Sequence, residues 1–385
     1  MLSGVNVVLG VTGSIAAVRV VELAHELRRH GATVRAVMTE GARGIVHPWA
    51  VEFATDEVVT ELTGRVEHVA LCGREGWGDV LLLAPATANT VGKIAAAIDD
   101  TPVTTCATTA IGADLPVVVV PAMHEPMYDH PGVVDAIDRL ESWGIEVVDP
   151  RIEEGKAKIA TDDAIALATA RAAGDRPLDG RRVVVTAGAT AEPIDPVRIV
   201  TNRASGRTGH AVARACHVRG ADVTVVEGTI REPTVAPYEV VPVETTAELR
   251  DAAVAAAADA DAYVSAAAIG DYTVDAAPEK LPSGESLRID MHPTTKVVDA
   301  VHERRPDLPM IGFKIETTDD EAAMVTAARD LADRIGLAVV FANDATVMGE
   351  TETSGLFVTA DDTERFVGSK GALGAAVADR IVALL

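Results

Sequence analysis

The chain has 385 residues, and its 34 Lys and Arg against 58 Asp and Glu give a formal net charge of −24. The acid is spread along the sequence, so the surface repels nucleic acid and anionic membranes, and neither is expected as a partner. No apolar run approaches the roughly 18–20 residues that span a bilayer, and the length calls for two domains rather than one.

Aromatic residues make up only 3 % of the chain, so its cores must be built from Val, Ile, Leu and Ala. The N-terminal MLSGVNVVLGV has no basic leader and reads as a first strand, not a signal peptide. Cys72, Cys106 and Cys216 are scattered without CxxC spacing. That argues against a disulfide framework or zinc site and fits a reducing cytoplasm. So large an acid excess is also a lever that halophiles use, and a cytoplasmic protein adapted to high salt is expected. Only seven residues are lysine: Lys93, Lys156, Lys158, Lys280, Lys296, Lys314 and Lys370. Each is worth weighing as a site residue.

Residues 5–11 form an apolar strand, followed by TGSIAA and a helical pattern through Arg29. The pattern repeats at 33–42, 79–98 and 115–128. Continuous Val/Ile runs alternating with helices predict a parallel sheet covered on both faces. Four strands end in small or polar loops, TGS, MTE, APATANT and PAMH. Ligands of open α/β sheets sit beyond the carboxyl ends of strands, so these loops should share one crevice. It offers Gly13, Ser14, Thr39, Pro85, Thr87, Asn89 and Thr90, with Thr104 and Thr105 from TPVTT. These are neutral groups suited to a phosphate and a ring edge. There is no GxGxxG and no GxxxxGK[ST]. His68 and His124 are the local candidates for acid–base work, since histidine titrates near neutrality.

The segment RAAGDRPLDG, 171–180, lacks apolar periodicity and marks the domain boundary. After it, VVVTAGATAEPIDPVRIVTNRASGRTGHAVARA, 183–215, sets two small-residue loops around an acidic-proline segment and runs into a helix. A strand feeding a helix N-terminus suits an anion. Gly188, Thr190 and Ser205 are the phosphate-cradle candidates. Strands at 222–228, 261–272, 308–317 and 337–344, with helices at 246–259, 319–335 and 370–385, make a second doubly wound domain.

GVTGSIAA, MTE, the His68 segment, LAPATANT, TPVTT and PAM together resemble the flavin-containing cysteine decarboxylases. The 183–215 stretch, with PEK, GFKIET and AND, resembles phosphopantothenate–cysteine ligase. In this order they resemble the bifunctional coenzyme A biosynthesis proteins, over nearly the whole chain. The resemblance implies two Rossmann-like parallel-sheet domains, the first flavodoxin-like: a decarboxylase over 1–175 binding FMN, and a CTP-dependent ligase over 181–385. It implies ligation of cysteine to 4′-phosphopantothenate through an acyl-cytidylate with Mg²⁺, the metal ligands being unknown, then flavin-dependent decarboxylation to 4′-phosphopantetheine. The alternative is a ligase whose flavin-binding half is non-catalytic.

By the same resemblance His68, Asn202 and Lys280 are catalytic, and Asp271 and Phe313 touch the nucleotide. Arg329 and Arg334 stand on the helix where the family has nucleotide-binding lysines. The chain's NRASG keeps Asn202, Ser205 and Gly206 of the family's NxxSG loop but has Ala204 in place of a serine, and HPTTK stands at 292–296 where NPD-type residues are usual. The segment 149–163 aligns with the family's flap yet lacks its cysteine. It is read as a substrate lid in which Lys156, Lys158 or His124 takes over proton donation or carboxylate binding; a solvated charge run is the plainer reading. Trimeric flavin domains and dimeric ligase domains are expected.

Overall fold

The computed structural model describes residues 1–153, 156–229, 236–284, 286–316, 320–344 and 352–385. The chain divides into two compact units, Met1–Asp175 and Arg176–Leu385.

In the first unit, strands β1 (Asn6–Val11), β2 (Thr33–Met38), β3 (Glu57–Val59), β4 (Val80–Ala86), β5 (Val117–Pro121) and β7 (Glu146–Val147) form one sheet in the order β3-β2-β1-β4-β5-β7. Every pairing in it is parallel. Leaving aside the three-residue edge strand β3, the order is 2-1-3-4-5, that of the flavodoxin-like doubly wound fold. The chain reverses its direction of winding between β1 and β4, which puts the crevice over their carboxyl ends.

All seven residues of β4 are buried, as expected of a strand covered on both faces. Leu81 and Leu83 point into a cluster with Val91 and Ile94 of α5 (Ala88–Ala95) and Val103 and Ala107 of α6 (Pro102–Gly112). Leu82 is buried on the opposite face. A further small sheet joins β6 (Met123–His124), β8 (Arg151–Glu153) and β9 (Lys156–Lys158) in the order β6-β9-β8. Within the charged run at 149–163, Arg151–Glu153 and Lys156–Lys158 therefore pair as antiparallel strands, which the sequence did not suggest. Glu154 and Gly155, and the side chain of Lys156, lie outside the described residues.

In the second unit, eight strands run β14-β13-β10-β15-β18-β19-β20-β21. They are β10 (Arg182–Ala187), β13 (Asp222–Glu227), β14 (Glu239–Pro242), β15 (Ala262–Ser265), β18 (Met310–Glu316), β19 (Val339–Asp344), β20 (Glu352–Val358) and β21 (Thr363–Ser369). The first six pair in parallel, whereas β20 and β21 are antiparallel additions at one edge. The winding reverses between β10 and β15.

Alternation along β10 shows how the sequence builds both faces. Val183, Val185 and Ala187 pack with Val212 of α10 (Arg207–Val218) and Leu373 and Val377 of α14 (Lys370–Leu384). Val184 faces Leu249 and Ala253 of α11 (Thr246–Ala257) and Val301 of α12 (Val297–Arg304). A fifth helix, α13 (Glu321–Ile335), covers that same face through Met324 and Ala328. Side chains of this size contribute about 1.5–3 kcal/mol each when fully buried. Helices α10 and α14 meet closely at Gly374, where a Cβ would lie 2.3 Å from the Ala211 carbonyl oxygen. Two short antiparallel ribbons complete the unit: β11 (Ala191–Pro193) with β12 (Ile199–Thr201), and β16 (Tyr272–Val274) with β17 (Met291–Pro293).

Among the described residues no helix is long and apolar enough to cross a membrane. All three cysteines are free and buried. Cys72 and Cys106, distant in sequence, lie side by side, and the hydrogen bond between them together with burial pushes the Cys72 thiol up.

Candidate active sites

The four loops at the carboxyl ends of the first sheet are tied to one another. The Thr12 hydroxyl donates to the Pro85 carbonyl at 2.7 Å and accepts from the Thr87 amide at 3.1 Å. Ser14 Oγ donates to the Ala122 carbonyl at 3.0 Å, and the Ala122 amide donates to Ala86. The Thr39 amide reaches the Val11 carbonyl at 3.0 Å. The TGS, MTE, APATANT and PAMH loops thus converge as the strand pattern requires, with Pro85 following a cis peptide bond.

Several hydroxyls proposed to meet a ligand also have local work. Thr39 caps α2 (Glu40–Arg43), and Thr87 caps α5 through the Thr90 amide. Thr104 is 2 % exposed and forms a reciprocal capping box with Thr101 at the start of α6. Thr105 Oγ1 donates to the carbonyls of Asp99 and Thr101 at 2.9 Å each. Asn89 is exposed.

His68 stands on α4 (Glu67–Cys72), which packs against α6. Its Nδ1 is buried and has no hydrogen-bond partner. A buried ring nitrogen left open in this way is a place for a ligand's donor or acceptor. His124 is exposed at the start of α7 (Glu125–Tyr128), and in the small sheet it pairs in register with Lys156. The structure therefore brings two of the three lid candidates to adjacent positions; Lys158 lies two residues further along β9.

In the second unit a cavity of ≈ 100 Å³ opens at the carboxyl ends of β10, β15, β18 and β19. Gly188, Ser205 and Phe313 line it together, as do Arg207, Asn343, Thr353 and Lys370. The loop 203–206 feeds α10, whose N-cap is Gly206 at φ +75°, a left-handed turn that suits glycine. The packing at Gly374 sets the N-terminus of α14, with Lys370 as its first residue, beside that of α10. Two helix N-termini and two cationic side chains make this end of the sheet strongly anion-attracting. Thr353, on β20, is 5 % exposed and lines the same cavity. Phe313 also packs on Phe341, ring centroids 5.6 Å apart.

Other predicted residues stand elsewhere. Thr190 is 1 % exposed, and its hydroxyl accepts from the Gly270 amide at 2.8 Å and from Thr246 Oγ1 at 3.0 Å. It holds the floor of the site rather than lining the cavity. Asn202 spends both ends of its amide on the chain: Nδ2 donates to the Ala268 carbonyl at 2.6 Å and Oδ1 accepts from Ala204 at 3.0 Å. Ala268 lines the cavity, so Asn202 braces its wall. Asp271 is exposed and ion-paired with Lys296. Lys280 is exposed and has no ion-pair or hydrogen-bond partner among the described residues. Arg334 pairs with Asp299 at 2.6 Å, and Arg329 keeps a buried Nε without a partner; neither lines the cavity.

The acidic-proline segment between the two small-residue loops is the β11–β12 hairpin, not an open anion loop. Glu192 accepts from the Thr246 amide at 2.8 Å and from Thr273 Oγ1 at 2.7 Å. Asp195, 2 % exposed, accepts from the amides of Val197 and Arg198 at 2.8 Å and of Leu281 at 3.1 Å. Burial opposes its ionisation, but those amides and the Arg198 guanidinium outweigh it and hold the carboxyl below its ordinary value.

The family model described as "Flavoprotein" matches residues 1–173, and that described as "DNA/pantothenate metabolism flavoprotein C-terminal domain" matches residues 178–385. The coenzyme A biosynthesis bifunctional protein CoaBC of Thermococcus kodakarensis is 45 % identical over 94 % of this chain and 90 % of its own length. The chain belongs to this family of bifunctional coenzyme A biosynthesis proteins. The CoaBC protein of Methanocaldococcus jannaschii is 33 % identical over 100 % of this chain and 95 % of its own. A solved FMN-dependent cysteine decarboxylase, SpaF, is 31 % identical over 45 % of this chain and 100 % of its own, with a TM-score of 0.40.

Within this family chain, the cavity residues that sequence reasoning gave no role are Arg207, Asn343 of the AND motif, Thr353 and Lys370. Lys370 had one signal, the scarcity of lysine. Thr353 had none, because it reaches the cavity only through the antiparallel strand β20. His210, in the first turn of α10, meets Glu227 at the end of β13 at 2.5 Å, another pairing that no sequence motif announces.

Proposed function

We propose that the first unit is an FMN-dependent phosphopantothenoylcysteine decarboxylase and the second a CTP-dependent phosphopantothenate–cysteine ligase. The observation that carries this reading is the presence, in one chain of the bifunctional family, of two separate switch-point crevices. One is lined by neutral hydroxyls and amides, the other by two helix N-termini with Arg207 and Lys370.

The first crevice fits a flavin mononucleotide by the chemistry of its donors. The Gly13–Ser14 turn and the capped start of α5 offer amides and hydroxyls to a phosphate and a ring edge, and His68 holds an open buried Nδ1. When bound, FMN supplies the electron sink for oxidising the thiol end of the cysteinyl substrate, which then loses CO₂, and it returns the electrons to the product. His68 handles a proton at its ring nitrogen. His124, whose backbone pairs in register with Lys156 on the small sheet, takes the substrate carboxylate in place of the absent flap cysteine.

The second crevice takes the nucleotide phosphates at Gly188, Ser205, Arg207 and Lys370, with Phe313 against the nucleotide. The phosphopantothenate carboxylate attacks the α-phosphate, pyrophosphate leaves, and the amine of cysteine then displaces CMP. Lys280 neutralises the anionic intermediate, and placement with charge stabilisation supplies most of the rate. Among the described residues no three acidic, histidine or cysteine ligands gather to hold a metal. Mg²⁺ enters on the nucleotide, held by phosphates and water, as is usual for this ion.

The exposed apolar side chains of the first unit fit association of flavin units. Trp49 and Phe53, 77 % and 80 % exposed, stand one helical turn apart on α3 (Pro48–Ala54), and Ile15 and Val18 are also exposed. A homo-oligomer, trimeric through the flavin units and dimeric through the ligase units, working in a salt-rich cytoplasm, completes the reading.

The test supplies 4′-phosphopantothenate, cysteine, CTP and Mg²⁺ to the purified protein and follows products by mass spectrometry. Phosphopantothenoylcysteine, CO₂ and 4′-phosphopantetheine should appear in sequence. Accumulation of phosphopantothenoylcysteine alone, in flavin-loaded protein, would instead make the first unit a non-catalytic flavin-binding half.

A further inference from the structure

The hairpin β11–β12 links two parts of the second unit that are far apart in sequence. At its base Thr201 Oγ1 donates to the Thr190 carbonyl at 2.8 Å, and the next residue, Asn202, braces Ala268. At its tip Asp195 and Arg198 pair at 2.6 Å. Together they grip one residue through its amide and its carbonyl. Asp195 Oδ2 accepts from the Leu281 amide at 3.1 Å, while Arg198 Nη1 and Nη2 each donate to the Leu281 carbonyl at 3.3 Å. Four residues earlier, the Ala277 amide donates to the Ile194 carbonyl at 2.8 Å. The segment 277–281 is therefore pinned at both ends to the hairpin tip, and Lys280 sits between the pins with its side chain in solvent.

A lysine that must neutralise a transient anion gains from a fixed backbone, because its own four-carbon stem is flexible. The other groups that could hold this segment do not: among the described residues Pro278 and Glu279 make no bond, and the Lys280 ammonium has no partner. We propose that Asp195 is a positioning residue for Lys280: through the Leu281 peptide it fixes where the lysine stands relative to the wall that Asn202 braces. The inference rests on the ligase reading of the second unit.

The test compares D195N, K280M and the double variant in full-length, flavin-loaded protein. Asn keeps the shape of Asp195 but turns an acceptor into a donor at the Leu281 amide. D195N should lower kcat for ligation about 10–100-fold, the scale of an ångström-sized misplacement, with KM for CTP nearly unchanged. Decarboxylation of supplied phosphopantothenoylcysteine should continue at the parent rate, showing that the chain is intact. Adding D195N to K280M should cost nothing further, since Asp195 acts through the lysine. Amide exchange should quicken at 277–281 and not in β10 or β15. A parent-like kcat in D195N, with K280M inactive, would overturn the positioning role and leave the ligase reading standing. A further loss in the double variant would show a merely structural role and overturn it too. Full ligation by K280M would remove the lysine's role and Asp195's with it.

Discussion

Asp195 shows how much a single buried acid can organise. Because its folded-state carboxyl is held below the ordinary value, the stability it contributes is fully present above the unfolded value near ~4 and is lost as pH falls through the folded one. Urea midpoints measured from pH 7 down to pH 3 should therefore fall for the parent more steeply than for D195N, the two curves converging at the acid end. At His68 the open Nδ1 makes a different expectation. H68N should abolish decarboxylation while leaving ligation at the parent rate, checked by the same product assay. Lys370 should matter to CTP binding: K370M should raise KM for CTP about tenfold, the scale of one charge-assisted contact of about 1.5 kcal/mol, with cysteine KM unchanged. Not all of these roles could be read from sequence. Gly188, Ser205 and Phe313 were placed at the cavity by motif. Thr190 carried the same small-polar character, yet its partner Thr246 is a tertiary neighbour that turns its hydroxyl inward.

At the scale of elements, the apolar runs announced the strands well because both faces of each sheet are covered, so valine alternation was unnecessary for burial. The convergence of the four loops in the first unit followed from that pattern alone. Several elements escaped, the β11–β12 and β16–β17 ribbons among them. The charged run 149–163 carries no apolar period, so its pairing with β6 had no signal, and β20–β21 continue a parallel sheet in the antiparallel sense, which no local residue dictates. The α10–α14 contact is the element on which the nucleotide site depends most. G374A should force the helices apart and cost about 1–3 kcal/mol, as overpacking does. Calorimetry should show the lowered Tm, and CTP titration should show weaker binding as the two N-termini separate.

Across the whole molecule, the charge of −24 sets the solution behaviour. Like charges repel in the compact state, and salt screens them within about 8–10 Å at 0.1–0.15 M. The unfolding midpoint should rise as KCl is raised into the molar range. A protein most stable in dilute buffer would remove the case for adaptation to high salt. The acid excess is legible in composition at once, whereas the identity of two successive chemistries needs the order of many weak motifs.

The β11–β12 hairpin also limits how this chain can be lengthened. Its register sets Glu192 opposite Val200, and a one-residue insertion in either strand would turn alternate side chains to the other face. Glu192 would leave Thr246 and Thr273, and the grip on Leu281 would shift with the tip. Beyond Leu281 the restraint ends: residues 286–290 are all exposed. An epitope tag placed there should be carried without loss of either activity, while the same tag between Pro193 and Ile199 should silence ligation alone. Two neighbouring stretches of similar polarity thus differ sharply in their tolerance of new sequence.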